Sequence, residues 1–110
     1  MKVKEGKILL EFLKKNGLDF KYWKYDNGLY DIHIFNLTLM NLTFADFEDS
    51  AEMNFMINNT KFKFLHILKT SLDIEVVIGD SNNHDRIELK NVRLTWDKNQ
   101  GLEILWKGKK

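Results

Sequence analysis

Strand-like segments recur along this chain about every 8 to 12 residues, with turn chemistry between them, and that rhythm limits the fold more than any other feature. Asn16-Gly17, Asp26-Asn27-Gly28, Glu48-Asp49-Ser50, Asn58-Asn59, Gly79 to Asp85 and Asp97 to Gly101 separate segments rich in β-branched, aromatic and leucine side chains. Breaks this frequent leave room for strands but not for the longer runs of a helical or βαβ fold. The chain contains no proline, so no segment is barred from a central strand. The expectation is a mainly β (α+β) chain: an antiparallel β-sandwich or small barrel of about eight short strands, with one N-terminal helix.

At 110 residues the chain fits one domain spanning 1–110, large enough for a core without a metal or disulfide staple. That domain would comprise a helix over about 5–16, a β-rich body over 18–106 and a frayed basic tail at 107–110. Ile8, Leu9, Phe12 and Leu13 recur at helical spacing. Asn16-Gly17 then reads as a helix stop, with Lys14 and Lys15 well placed in the last turn and Leu18 free to fold back.

Asn27-Gly28 between Leu18 to Tyr25 and Leu29 to Phe35 is a hairpin signal. A two-residue turn there would set Trp23 opposite Ile32 and Lys24 opposite Asp31. A three-residue loop with a bulge would shift that register by one. A second hairpin around Asn58-Asn59, given a two-residue turn, would bring Phe55 to Phe62 and Met53 to Phe64. Leu65 to Leu68 reads as either strand or a short helical turn. Ile74, Val76 and Ile78 alternate cleanly, and Asp97 to Gly101 closes a last hairpin onto Leu102 to Trp106.

Asp31 to Phe47, DIHIFNLTLMNLTFADF, breaks strict alternation. Its apolar pairs slip at Asn36, Asn41 and Asp46, residue types that tolerate left-handed backbone angles. The beats YDIHI, FNLTL, MNLTF and ADFED resemble pentapeptide repeats at Asp31-Ile32, Asn36-Leu37-Thr38, Asn41-Leu42-Thr43 and Asp46-Phe47. That family places a small residue two before the centre, where this chain has Tyr30, Phe35 and Met40, and the next beat breaks at Glu52. A solenoid also needs several stacked repeats to bury a core. The same slip recurs at Asn91, between Ile87/Leu89 and Val92/Leu94/Trp96. It is therefore read as bulging in ordinary strands, with bulges or bends at Asn36, Asn41 and Asn91, and with Ile32, Leu37, Leu42 and Phe44 buried.

A formal net charge of +1 gives no long-range field that selects nucleic acid, membrane or acidic ligands. With no cysteine, disulfide frameworks, thiolate metal sites and cysteine nucleophiles are excluded. No apolar run approaches the roughly 18 residues of a membrane span, and the N-terminal apolar run is broken at Glu11. A cytoplasmic protein is the expectation. The preference for lysine and asparagine is what AT-rich codons produce, pointing to a low-GC bacterium or one of its mobile elements or phages. His33, His66 and His84 form no ligand motif, and no phosphate loop, nucleophile elbow or triad signature is present. No catalytic residue, metal or cofactor is assigned.

What remains is an interaction module, probing another protein or a second copy of itself. Tyr22, Trp23, Tyr25 and Trp106 are the candidate contact residues, since Tyr and Trp dominate interface hot spots. FKYWKY also interleaves aromatics with lysines as single-stranded nucleic-acid platforms do. That alternative requires Lys21, Lys24, Lys61 and Lys63 on one face. A small hydrolase or metal-dependent enzyme is the second alternative, requiring a histidine close to Asp or Glu in a cleft.

Overall fold

The computed structural model describes residues 7–35, 37–45, 50–57, 60–70, 72–80 and 82–108. Among them, helix α1 (Lys7–Lys15) precedes eight strands: β1 (Phe20–Lys24), β2 (Leu29–Ile34), β3 (Thr38–Ala45), β4 (Ser50–Ile57), β5 (Thr60–Thr70), β6 (Asp73–Asp80), β7 (His84–Asp97) and β8 (Gly101–Lys107). The mainly β class, the eight antiparallel strands and the N-terminal helix are as the turn rhythm predicts. Leu65 to Leu68 is strand, within β5.

All eight strands join one antiparallel sheet in the order β1-β2-β8-β7-β6-β5-β4-β3. A flat sheet of that width would measure about 38 Å across and only about 10 Å through. The molecule instead measures 36 × 34 × 34 Å, so the sheet is curled. The edge-to-face contact of Phe55 with Trp96, at 5.0 Å between ring centres, shows the same thing. Their strands, β4 and β7, are three places apart in the sheet, about 14 Å if it were flat.

The long strand β7 makes the curl. Its first half pairs with β6 and its second half with β8, and the register shifts between Lys90 and Arg93. Asn91 sits at that bulge with φ 52°, a conformation asparagine accepts more readily than most residues. The bulge reverses the alternation, so Ile87 and Leu89 before it and Val92 after it all face the core. The β5–β6 turn satisfies the displaced backbone. Asn91 N–H donates to Asp73 Oδ1 at 3.2 Å, and Val92 N–H donates to the Leu72 carbonyl at 2.6 Å.

Alternate residues of the inner face form the core: Ile32 and Ile34, Phe55 and Ile57, Leu65 and Ile67, Val76 and Ile78, Leu102 and Ile104. Leu9 and Leu13 of α1 complete it from the concave side. The helix ends in a Schellman motif, with Leu18 N–H bonded to the Leu13 carbonyl, Gly17 N–H to the Lys14 carbonyl, and Gly17 at φ 65°. Leu18 packs against the core as its position after the glycine implies.

The first hairpin takes the three-residue loop of the two alternatives, and two other local expectations are corrected. In that hairpin Gly28 N–H bonds to the Tyr25 carbonyl and Tyr25 N–H to the Leu29 carbonyl, enclosing a three-residue loop with Gly28 at φ 88°. Trp23 therefore pairs with Asp31, Lys24 with Tyr30 and Tyr22 with Ile32. The second hairpin sets Phe55 opposite Leu65 and Met53 opposite Ile67, because a register shift next to Ile57 takes up residues of β5. That slip lets the apolar Leu65 and Ile67 reach the core. Leu42, expected to be buried, is 36% exposed. It faces the core side opposite Met53, but β3 is an edge strand that pairs, among the described residues, with β4 alone.

The slip at Asn41 is a register shift between Leu39 and Asn41. Ile32 is buried and Leu37 half-buried against the core. Asn36 and the Phe44 side chain lie outside the described residues. β8 runs to Lys107, and Gly108 N–H donates to the Gly28 carbonyl at 2.9 Å.

Candidate functional site

Strand β1 is the edge of the sheet next to β2; it carries Tyr22 and Trp23, two of the four aromatics singled out from sequence, and Tyr25 follows it directly. The bonds Tyr25 N–H to Leu29 C=O and Phe35 N–H to Asp19 C=O fix the phase of the β1–β2 ladder. Antiparallel ladders alternate, so residues 21 and 23 bond inward to β2. The backbone N–H and C=O groups of Phe20, Tyr22 and Lys24 point outward, and no described strand pairs with them.

Each face of this open backbone carries aromatic rings. On the inner side Tyr22 stacks on Tyr30 at 6.1 Å, and Tyr30 stacks on Trp106 at 5.6 Å, a ladder running across β1, β2 and β8. Lys24 Nζ stands 5.5 Å from the centre of the Tyr30 ring, within cation–π range. Gly108 lies against this ladder, where a Cβ would overlap the Tyr30 ring. On the outer side Trp23 and Tyr25 meet edge to face at 6.4 Å, and His33 stacks on Phe35 at 4.4 Å.

Tyr22, Trp23 and Tyr25 are exposed, Trp23 by 64%. Trp106 is not: it is 6% exposed, because it continues the inward phase of Leu102 and Ile104 and lies beneath Tyr30. As a direct contact residue it is withdrawn, and it acts as the buried end of the ladder. Trp96 likewise packs against the core. Trp23 owes its exposure to the one-residue register shift. Paired with Ile32 it would have turned inward; paired with Asp31 it turns out.

Asp31 itself was not singled out from sequence. Its Oδ1 is buried without a hydrogen-bond partner among the described residues. Burial, then the adjacent Glu103 carboxylate, then a hydrogen bond to Glu103 that needs a proton on Asp31, hold its carboxyl above the usual carboxylate range, against the opposing effect of His33. A carboxyl with a raised pKa binds its proton more tightly in the folded chain than in the unfolded one. The stability it contributes is thus complete below the pKa of a free aspartate and is lost as pH rises through the folded value. Denaturant titrations between about pH 3 and about pH 7 should show Asp31→Asn gaining stability over the parent chain as pH rises, with the difference smallest at the acid end.

The histidines are held apart. His33 Nε2–H donates to the Gln100 carbonyl at 2.6 Å, and His66 Nε2–H to Glu52 Oε1 at 3.0 Å on the half-exposed outer surface of β4 and β5. His84 is exposed beside the Phe64 ring. Among the described residues no three His, Asp or Glu side chains gather into a metal-binding group. No described helix is long and apolar enough to cross a membrane.

A groove of about 370 Å³ lies between α1 and the β6–β7 turn, lined by residues including Phe12, Lys63, Ile78 and Asp80. Several of its polar groups bond within the protein. Lys63 Nζ donates to Asn16 Oδ1 at 3.1 Å, and Asp80 Oδ1 accepts the Asn82 and Asn83 N–H groups, which hold its carboxyl below the usual range. Lys63 is thus tied to the end of α1, and Lys21 and Lys24 project to opposite faces of β1; the Lys61 side chain lies outside the described residues. Compared with known protein families, with curated proteins and with solved structures, the chain matches none.

Proposed function

We propose that this chain is a non-enzymatic protein-binding module that takes an extended segment of another protein along β1. The observation that carries the reading is the open β1 backbone, flanked by Tyr22 on one face and by Trp23 and Tyr25 on the other. A strand added to such an edge gains main-chain hydrogen bonds, while rings on alternate faces supply area and selectivity. Lys21 and Lys24, one on each face, favour a partner segment with acidic residues among apolar ones. An assembly subunit of a bacterial mobile element or phage is the narrower form of this reading, suggested by composition.

Panning the chain against displayed random peptides tests it. Selected peptides should mix acidic and apolar residues, and titration calorimetry should show Trp23→Ala losing about 2 kcal/mol, roughly 30-fold in Kd. Failure to select any peptide, or binding indifferent to both Trp23→Ala and Tyr22→Ala, would sink the proposal. So would tight binding of oligo(dT) that weakens steeply with salt, the signature of a nucleic-acid platform.

A further inference from the structure

The sheet ends at two edges built differently. β1 has Lys21 and Lys24 within five residues, and lysines keep edge strands from pairing with their own copies. β3, at the opposite end, reads TLMNLTFA and has neither charge nor proline. It lies within residues 32–45, the longest stretch of the sequence free of Asp, Glu, Lys and Arg. Among the described residues β3 pairs only with β4. Met40 is 57% exposed at this edge, close to the partly exposed Leu42.

We propose that β3 is the self-association edge of this protein, and that two copies pair antiparallel through it about a two-fold axis. The occupant is a second copy because an uncharged strand meets its own image without like charges opposite each other in any register. β1 against its copy sets lysine opposite lysine in several registers. Pairing through equivalent edges uses up the one uncharged edge of each protomer and closes the assembly at a dimer. The shift at Met40 limits the regular β3–β4 ladder to Asn41–Ala45, which centres the contact on Thr43. Both β1 edges remain outward, so the inference stands independently of the reading of β1.

The test is sedimentation equilibrium of the whole chain from about 1 to about 100 µM. The mass should approach twice that of one chain at the upper end. Thr43 is exposed in the protomer, so Thr43→Lys should preserve the circular dichroism spectrum and melting of dilute protein. It should also weaken association at least tenfold by setting two lysines together across the axis. Trp23→Ala should associate like the parent. If Thr43→Lys melts early, amide exchange on the parent chain decides instead: protection within Asn41–Ala45 should rise with concentration. A single-chain mass throughout, a dimer indifferent to a folded Thr43→Lys, growth beyond a dimer, or exchange independent of concentration would overturn the proposal.

Discussion

Replacing Phe55 with alanine is expected to remove about 3–5 kcal/mol of stability, a large share of the roughly 5–15 kcal/mol available to a domain. Phe55 is fully buried, lies opposite Leu65 on β5, and meets Trp96 edge to face at 5.0 Å. It therefore bridges two parts of the curled sheet that are not neighbours in it. Its loss would remove buried apolar area, open a cavity and delete an aromatic pair together. Leu42→Ala is the control on the same face. Leu42 is partly exposed on an edge strand, so its truncation should cost well under half as much. Urea midpoints of the two variants, compared at unchanged slope, give the measurement. Equal losses would mean that the core does not concentrate at Phe55.

A second large loss, about 3 kcal/mol or more, is expected for Gly101→Ala. Gly101 opens β8 with φ 96°, a conformation that residues with a Cβ rarely adopt. Space is also lacking: an added Cβ would overlap the Ile34 carbonyl oxygen on β2. Ile34 pairs with Leu102 in the β2–β8 ladder, and β2 in turn holds β1. Any relief has to move backbone, and it moves the strand that carries Trp23. Gly101→Ala should lower the urea midpoint and also loosen β1, seen as faster amide exchange at Lys21 and Trp23, which bond inward. A variant as stable as the parent would show that the close approach of Gly101 to Ile34 is not maintained in solution.

The contrast between Trp23 and Trp106 shows what kind of information each level holds. Hairpin one is written locally in Asn27-Gly28, but the same dipeptide serves a two-residue turn and a three-residue loop with the glycine at positive φ. One residue of register decides which face of a strand a side chain occupies. The loop closed by the Gly28-to-Tyr25 bond put Trp23 outside, opposite Asp31. The β2–β8 pairing brought Asp31 and Glu103 together, a carboxyl pair on separate strands with no local signature. Trp106 follows the inward phase of Leu102 and Ile104, which its spacing in the sequence already implied. Residue type alone makes every tryptophan a candidate anchor; strand phase is what buries this one.

By itself the sequence determined the helix and its glycine stop, the eight-strand antiparallel plan, the bulge at Asn91 and the core phases on either side of it. Each rests on interactions within a few residues: side-chain periodicity, turn chemistry, and the tolerance of asparagine and glycine for positive φ. Only the tertiary structure decided the strand order and the curl that brings Phe55 to Trp96. It also decided the registers of the first two hairpins and which strands became edges. Those outcomes depend on how the strands share one buried face. Edge position in particular belongs to the whole sheet, and it is what leaves β1 and β3 open.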